Sequence, residues 1–185
     1  MEITPLKLSG TFLIASPRRS DERGYFMRAY DRRAFAGMGL VTDWEQESLS
    51  FNREAGTIRG LHFQMPPAIE TKMVRVLSGG ILDVFVDLRR DSQTYGKWDS
   101  VLLSADEGKA VYLAAGFAHG FRTLEPETLI AYKIDVPYSP ESAGGLRWDD
   151  PDLNIDWGIS DAIISDRDAR LDNFKEFNSP FLLDQ

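Results

Sequence analysis

KMVRVLSGGILDVFVDLR, residues 72–89, decides the fold. It holds two apolar runs, KMVRVL (72–77) and ILDVFVDLR (81–89), parted by Ser78-Gly79-Gly80. Short runs rich in β-branched and aromatic residues, bounded by glycine, read as strands joined by a turn. A strand sends alternate side chains to opposite faces. In the second run Leu82, Val84, Val86 and Leu88 therefore form one face, and Ile81, Asp83, Phe85 and Asp87 the other. Two acids on the latter predict an exposed face with solvated charges, a polar-lined interior being the alternative.

The same rhythm extends outward. GYFMRAY (24–30), TIRGLHFQ (57–64), DSVLLS (99–104), KAVYLA (109–114), GFRTL (120–124) and LIAYKID (129–135) are further strand candidates. Asp106-Glu107-Gly108 and Glu125-Pro126-Glu127 supply turns between them. Strands spaced by roughly 8–12 residues are the pattern of an all-β sandwich or barrel, not of alternating strands and helices. Helical pattern is confined to Asp31–Met38 and to weak signals over 161–175. With no internal repeat and no linker-like tract, residues 1–185 read as a single, mainly β domain with a few short helices at the periphery.

Composition narrows the function. Acidic residues outnumber basic ones 29 to 21, a net charge of −8, which does not suit a broad nucleic-acid footprint. A few arginines turned into a pocket could still hold a small anion. The chain has no cysteine, which removes disulfides, thiolate catalysis and Cys-ligated metals and fits a reducing cytosol. MEITPLKLSGTFLIASPRRS lacks the apolar run of a signal peptide, and no stretch approaches the roughly 20 apolar residues of a membrane helix. The expectation is a soluble, cytoplasmic protein.

Only two histidines occur, His62 in RGLHFQ (59–64) and His119 in GFAHGF (116–121). Two imidazoles 57 positions apart are too few for the usual first-row metal sites, and no EF-hand-like loop is present. No metal is expected, and any chemistry should be acid–base.

Several motifs in order carry a resemblance over nearly the whole chain: DERGYFMRAY (21–30), GTIRGLHFQ (56–64), KMVRVLSGGILDVFVDLRRDSQTYGKW (72–98), GFAHGFRTL (116–124), YKIDVPYSP (132–140), WDDPDLNIDW (148–157) and ISDRD (164–168). Together they resemble the dTDP-4-dehydrorhamnose 3,5-epimerase family, nucleotide-sugar epimerases of the cupin-like jelly-roll class. The resemblance implies a substrate in which a nucleotide diphosphate carries a 4-keto-6-deoxy sugar, with no cofactor. The ketone acidifies the hydrogens at C3 and C5. Inversion needs a base on one face, a proton donor on the other, and a group that stabilises the enolate between them.

His62 is the expected base, because an unperturbed imidazole titrates near about 6.5 and suits proton transfer at neutral pH. A hydrogen-bonded core histidine is the bland reading. The resemblance implies that Asp168, in the late SxxD run, orients it, with Asp166 the alternative two residues away. It assigns Tyr132 as the acid on the far side of the sugar. Ile130, Tyr132 and Ile134 share a strand face, which suits a plain core tyrosine too, and Tyr138 is the second candidate. Lys72, ten residues after His62, would approach the C4 oxygen where charge grows. His119 and Tyr138 are expected on the sugar, Arg59 and Arg23 on the diphosphate, and Phe26 and Gln46 with the nucleotide end of the substrate. Arginine's planar fork of donors suits phosphate oxygens.

One difficulty is internal to the sequence. Arg59 and His62 are three apart, so a regular strand would place them on opposite faces. Gly60 could permit a bulge that redirects one of them, or one residue could act across a dimer boundary. Family members are usually homodimers in which an N-terminal strand reaches into the partner, and the chain is compatible with that. Arg28 stands where rhamnose-pathway enzymes usually show an acid, and Gln46-Glu47-Ser48 where they commonly have Gln-Asp-Asn; the loop QMPPAIETK (64–72) also departs from the usual version. The leading expectation is epimerisation at C3 and C5. A C3-only epimerase or 3,4-ketoisomerase, and a silent sugar-binding jelly roll, are the alternatives.

Overall fold

The computed structural model describes residues 1–183, so the last two residues of the expected 1–185 domain lie outside the described residues. Strands dominate. In order they are β1 (Glu2–Pro5), β2 (Thr11–Ala15), β3 (Arg18–Asp21), β4 (Gly24–Met27), β5 (Gln46–Asn52), β6 (Ile58–Gln64), β7 (Lys72–Ser78), β8 (Gly80–Asp87), β9 (Trp98–Ser104), β10 (Lys109–Leu113), β11 (Phe117–Thr123), β12 (Thr128–Ile134) and β13 (Ala143–Gly145). One helix, α1 (Arg32–Gly37), interrupts them before β5.

The strands form two main antiparallel sheets, β1-β2-β10-β7-β12-β5 and β13-β6-β11-β8-β9, with β3 and β4 pairing separately. The opening segment shows why the sheets face one another. β7 lies in the first sheet and β8 in the second, so the Ser-Gly-Gly turn carries the chain across the sandwich. Gly79 makes that crossing at φ +75°, and a Cβ there would collide with Thr128.

β8 then packs on both faces. Ile81 and Phe85 enter a core with Val74, Val76, Val111, Leu113 and Ile130 of the first sheet. Val84, Val86 and Leu88 face the other way, against Ile58, Leu61, Phe63, Leu146, Trp157 and Phe181. Asp83 and Asp87 are fully buried, which corrects the expectation of a solvated face. The alternation was right, but the face carrying the acids looks into the sandwich. Asp87 tolerates this because its carboxylate accepts from Arg89 Nε and Nη2 (both 2.8 Å) and from the Ser92 and Thr94 hydroxyls (both 2.6 Å). Burial alone would raise its pKa, yet these bonds together hold it below the ordinary carboxylate value.

The outer face of the first sheet is covered by the segment around α1. Asp31 caps that helix, its Oδ1 accepting from Arg33 N at 3.0 Å and Ala34 N at 3.3 Å. Capping sets Phe35 into a cluster with Ile14, Met73, Ala110 and Tyr112. Residues 161–175, where helical signals were weak, hold only 3-10 turns at Asp168–Arg170 and Phe174–Glu176. Ile164, Phe174, Phe177 and Phe181 from this end of the chain pack across the back of the second sheet at spacings that fit no single helix face. Among the described residues no helix is long and apolar enough to cross a membrane.

Candidate active site

A cavity of about 250 Å³ opens between the two sheets. β6 contributes Arg59, His62 and Gln64 to it, and β11 contributes His119 and Phe121. From the facing sheet come Lys72, Tyr132, Ile134 and Ser48, while Glu70, Tyr138 and Arg167 reach in from loops.

The two histidines meet because β6 and β11 are neighbours, with His62 and His119 directly opposed in register. The next partners are Phe121 and Arg59, so Gly60 and Leu61 of β6 oppose the single Gly120 of β11. That is the bulge Gly60 was expected to permit, and it turns Arg59 and His62 to the same side. Gly60 has φ +117°, and a Cβ there would lie 2.6 Å from Gly120 Cα and 2.7 Å from the His119 carbonyl oxygen. Only glycine lets the two backbones approach so closely at this point.

His62 Nε2 lies 2.8 Å from Asp168 Oδ1, and Asp168 Oδ2 accepts from Gly60 N at 3.2 Å. Burial would raise the Asp168 carboxyl, but the His62 bond, the Gly60 amide and the Arg167 charge hold it lowered overall. An ionised carboxylate only accepts, so His62 Nε2 carries the hydrogen of this bond. The His62 side chain is 38% exposed, on the cavity wall. Asp166 is turned to solvent and pairs with Arg170 at 3.6 Å, so the structure brings Asp168 to His62 and leaves Asp166 outside.

A second pair stands beside the first. His119 Nε2 is 2.7 Å from Asp83 Oδ2, with both side chains enclosed. Asp83 Oδ1 has no hydrogen-bond partner among the described residues. The His119 ring meets Tyr132 edge-on at 6.1 Å between centroids. Burial, then the negative Asp83, pushes the Tyr132 phenol well above its ordinary value, with Arg59 pulling weakly the other way. The phenol is therefore a proton carrier at neutral pH, on the wall opposite His62. Lys72 Nζ lies 2.7 Å from Glu70 Oε1 and donates a long 3.4 Å bond to the His62 carbonyl. At the mouth, Arg59 Nε donates to Asn52 Oδ1 at 2.7 Å, which leaves the guanidinium beside the opening.

An imidazole paired with a carboxylate, a phenol and an ammonium from the facing sheet, and arginines all line this one cavity, a set of groups able to exchange protons and to hold an anion. Among the described residues no group of three or more His, Cys, Asp or Glu side chains is placed to hold a metal ion. The sequence profile of the dTDP-4-dehydrorhamnose 3,5-epimerase family matches residues 5–176. The chain belongs to this family. A dTDP-4-dehydrorhamnose 3,5-epimerase of Sinorhizobium fredii is 42% identical over 174 residues, covering 91% of this chain and 87% of the relative. The crystal structure of a dTDP-4-dehydrorhamnose 3,5-epimerase from Bacillus anthracis, with TDP and PPi bound, superposes at TM-score 0.90 and 38% identity, covering 93% of this chain and 98% of that one. A dTDP-6-deoxy-D-glucose-3,5-epimerase from Legionella pneumophila, in complex with dTDP-4-keto-L-rhamnose, superposes at TM-score 0.90 and 32% identity, covering 96% and 94%. The sandwich described above is thus the cupin-like jelly roll of an isomerase family.

Not every residue expected in this epimerase site reaches the cavity. Arg23 and Phe26 lie on the exposed β3–β4 hairpin, and Gln46 begins β5; none of the three lines the cavity. Arg23 instead pairs with Asp21 at 2.6 Å. Arg28, the departure from the family's usual acid, pairs with Asp31 at 2.9 Å, at the cap of α1. Several cavity or supporting residues are not among those expected from sequence, four of them charged or amide side chains. Asp83 carries a signal, an acid inside an apolar strand, but one that points to an exposed face before it points to a polar-lined interior. Glu70 and Arg167 flank expected residues without any pattern of their own. Gln64 closes RGLHFQ and is buried, its amide donating to the Ala68 carbonyl at 3.1 Å and its oxygen accepting from Ser139 N at 2.6 Å. It thereby ties the Tyr138 loop to β6.

Proposed function

We propose that this chain catalyses the 3,5-epimerisation of dTDP-4-dehydro-6-deoxy-D-glucose to dTDP-4-dehydro-L-rhamnose. The observation that carries the reading is the His62–Asp168 pair in one cavity with Tyr132 and Lys72, both from the facing sheet. His62 Nδ1 takes the proton at C3 or C5, and the C–H electron pair moves through the enolate to the C4 oxygen. The Lys72 ammonium stabilises that oxygen, which is the largest contribution expected of a preorganised site. Asp168 holds the tautomer and stabilises the imidazolium that forms. Tyr132 returns a proton to the carbon from the opposite face, and the ketone re-forms. Proton exchange with water then restores imidazole and phenol. The ketone serves as the electron sink, so the scheme requires no redox cofactor and no metal.

His119 and Tyr138 hold the sugar in this reading, and Arg59 the diphosphate. The working unit is a homodimer. The exposed hairpin then supplies Arg23 and Phe26 to the nucleotide end of a partner copy's cavity, and Gln46 lies near the same end. A cysteine-free chain suits a reducing cytoplasm.

The test is proton NMR of the dTDP-4-keto sugar in D₂O. Deuterium should enter both C3 and C5 with the wild-type protein, and Tyr132→Phe should slow at least one inversion while exchange through His62 continues. Exchange at C3 alone would reassign the chain as a C3-specific epimerase. No exchange at either carbon would remove this substrate.

A further inference from the structure

Glu70 has no part in the scheme above, yet its carboxylate stands inside the cavity. Oε1 lies 2.7 Å from Lys72 Nζ, and the two side chains are only 9% and 10% exposed. A carboxylate so close to the cation proposed to stabilise the enolate weakens its field at the substrate. Its presence calls for a compensating role, and the geometry supplies one.

A lysine ammonium has three donors on a flexible four-carbon stem. Here one N–H is directed to Glu70 Oε1 and a second to the His62 carbonyl at 3.4 Å. With two donors committed, the third has one direction left. The loop that carries Glu70 is itself held at both ends. Gln64 donates to Ala68 O at 3.1 Å, and Thr71 N donates to Asp135 Oδ1 at 2.7 Å. Glu70 is therefore a fixed anchor, not a surface acid that has strayed inward.

We infer that Glu70 is a positioning residue, whose carboxylate tethers the Lys72 ammonium so that its remaining N–H is aimed at the C4 oxygen of the substrate. This rests on the 4-keto-sugar reading given above. Displacing a stabilising group by about 1 Å is enough to cost on the order of 10²-fold in rate. If aim matters more than net charge, removing Glu70 slows the reaction. If charge matters more, removing it speeds the reaction.

The experiment compares Glu70→Gln, Glu70→Ala, Lys72→Met and the Glu70→Ala/Lys72→Met double variant by kcat and KM on the dTDP-4-keto sugar. It adds the ¹H–¹⁵N signal of the Lys72 ammonium, assigned by its loss in Lys72→Met. Glu70→Ala should lower kcat by about 10²-fold with KM changed only a few-fold. Glu70→Gln, whose amide oxygen still accepts from Nζ, should recover most of that loss. In the Lys72→Met background Glu70→Ala should cost nothing more, which a merely structural glutamate would not show. The ammonium signal should be present in the wild type and Glu70→Gln and absent in Glu70→Ala. An unchanged or faster Glu70→Ala, or an equal loss in the Lys72→Met background, overturns the inference. Should the wild type leave the sugar untouched, the substrate reading fails by itself. The ammonium signal then still decides the tether: its loss in Glu70→Ala supports it, and its persistence overturns it.

Discussion

Two histidine–aspartate pairs stand side by side on β6 and β11 with almost the same bond length, 2.8 Å for His62–Asp168 and 2.7 Å for His119–Asp83. Their surroundings differ. His62 is 38% exposed on the cavity wall, and its aspartate arrives from 106 residues away on a short 3-10 turn. His119 is 4% exposed, and its aspartate sits on the adjacent strand, 36 residues away. A hydrogen-bonded carboxylate alone does not make an imidazole into a base. Access for the free nitrogen does. In the function proposed above the open pair transfers the proton, whereas the enclosed one is buried against Asp83 and meets Tyr132 edge-on.

The largest effect separating the pairs should come from His62→Asn. We expect deuterium exchange at C3 to fall about 10³-fold while the unfolding midpoint in urea barely moves. Exchange that survives would remove the distinction. His119→Phe should do the reverse in kind. It keeps a ring of similar size but strips the buried Asp83 of its side-chain partner, and we expect a loss of about 3 kcal/mol in urea unfolding. A loss no larger than that of His62→Asn would mean that the enclosed pair is not structural.

The smallest effect is in pH. The Asp168 carboxyl is lowered in the folded chain. Its contribution to stability is therefore present in full above the unfolded-state value of about 3.9 and disappears as pH falls through the lower folded value. The stability difference between wild type and Asp168→Asn should shrink as pH falls from about 4 through the lowered folded value. A difference that grows on acidification would contradict the direction of the shift.

How much was legible varied with how locally each feature is determined. β7, β8, β10 and β12 could be read because their apolar alternation meets a core on both faces of the sheets. β3 and β5 could not, since RRSD and QESLSFN expose most of their side chains, and β5 owes its strand form to β12, a partner distant in sequence. The bulge was legible, because a glycine between two residues wanted on one side is a local conflict with a local solution. Asp83 and Asp87 were misread for the opposite reason. Their polarity argued for water, while the groups that satisfy them, His119 for one and Arg89, Ser92 and Thr94 for the other, become neighbours only after folding. The Asp168–His62 contact, spanning 106 positions, came from resemblance and not from any spacing rule. Glu70 was visible only as part of a departing loop, QMPPAIETK, since a glutamate two places before a lysine is ordinary loop composition.

The surplus residue at Gly60 has a consequence for how this site can diversify. Past it, β6 runs one step out of phase with β11, so the distance between the proton-moving group and the arginine at the mouth is counted in whole residues. Losing that residue would leave His62 where it is and rotate Arg59 into the apolar packing behind the sheet. In the function proposed above, the gauge between a sugar's reactive carbons and its phosphates is thus a ratchet with discrete teeth, moved only by a full notch.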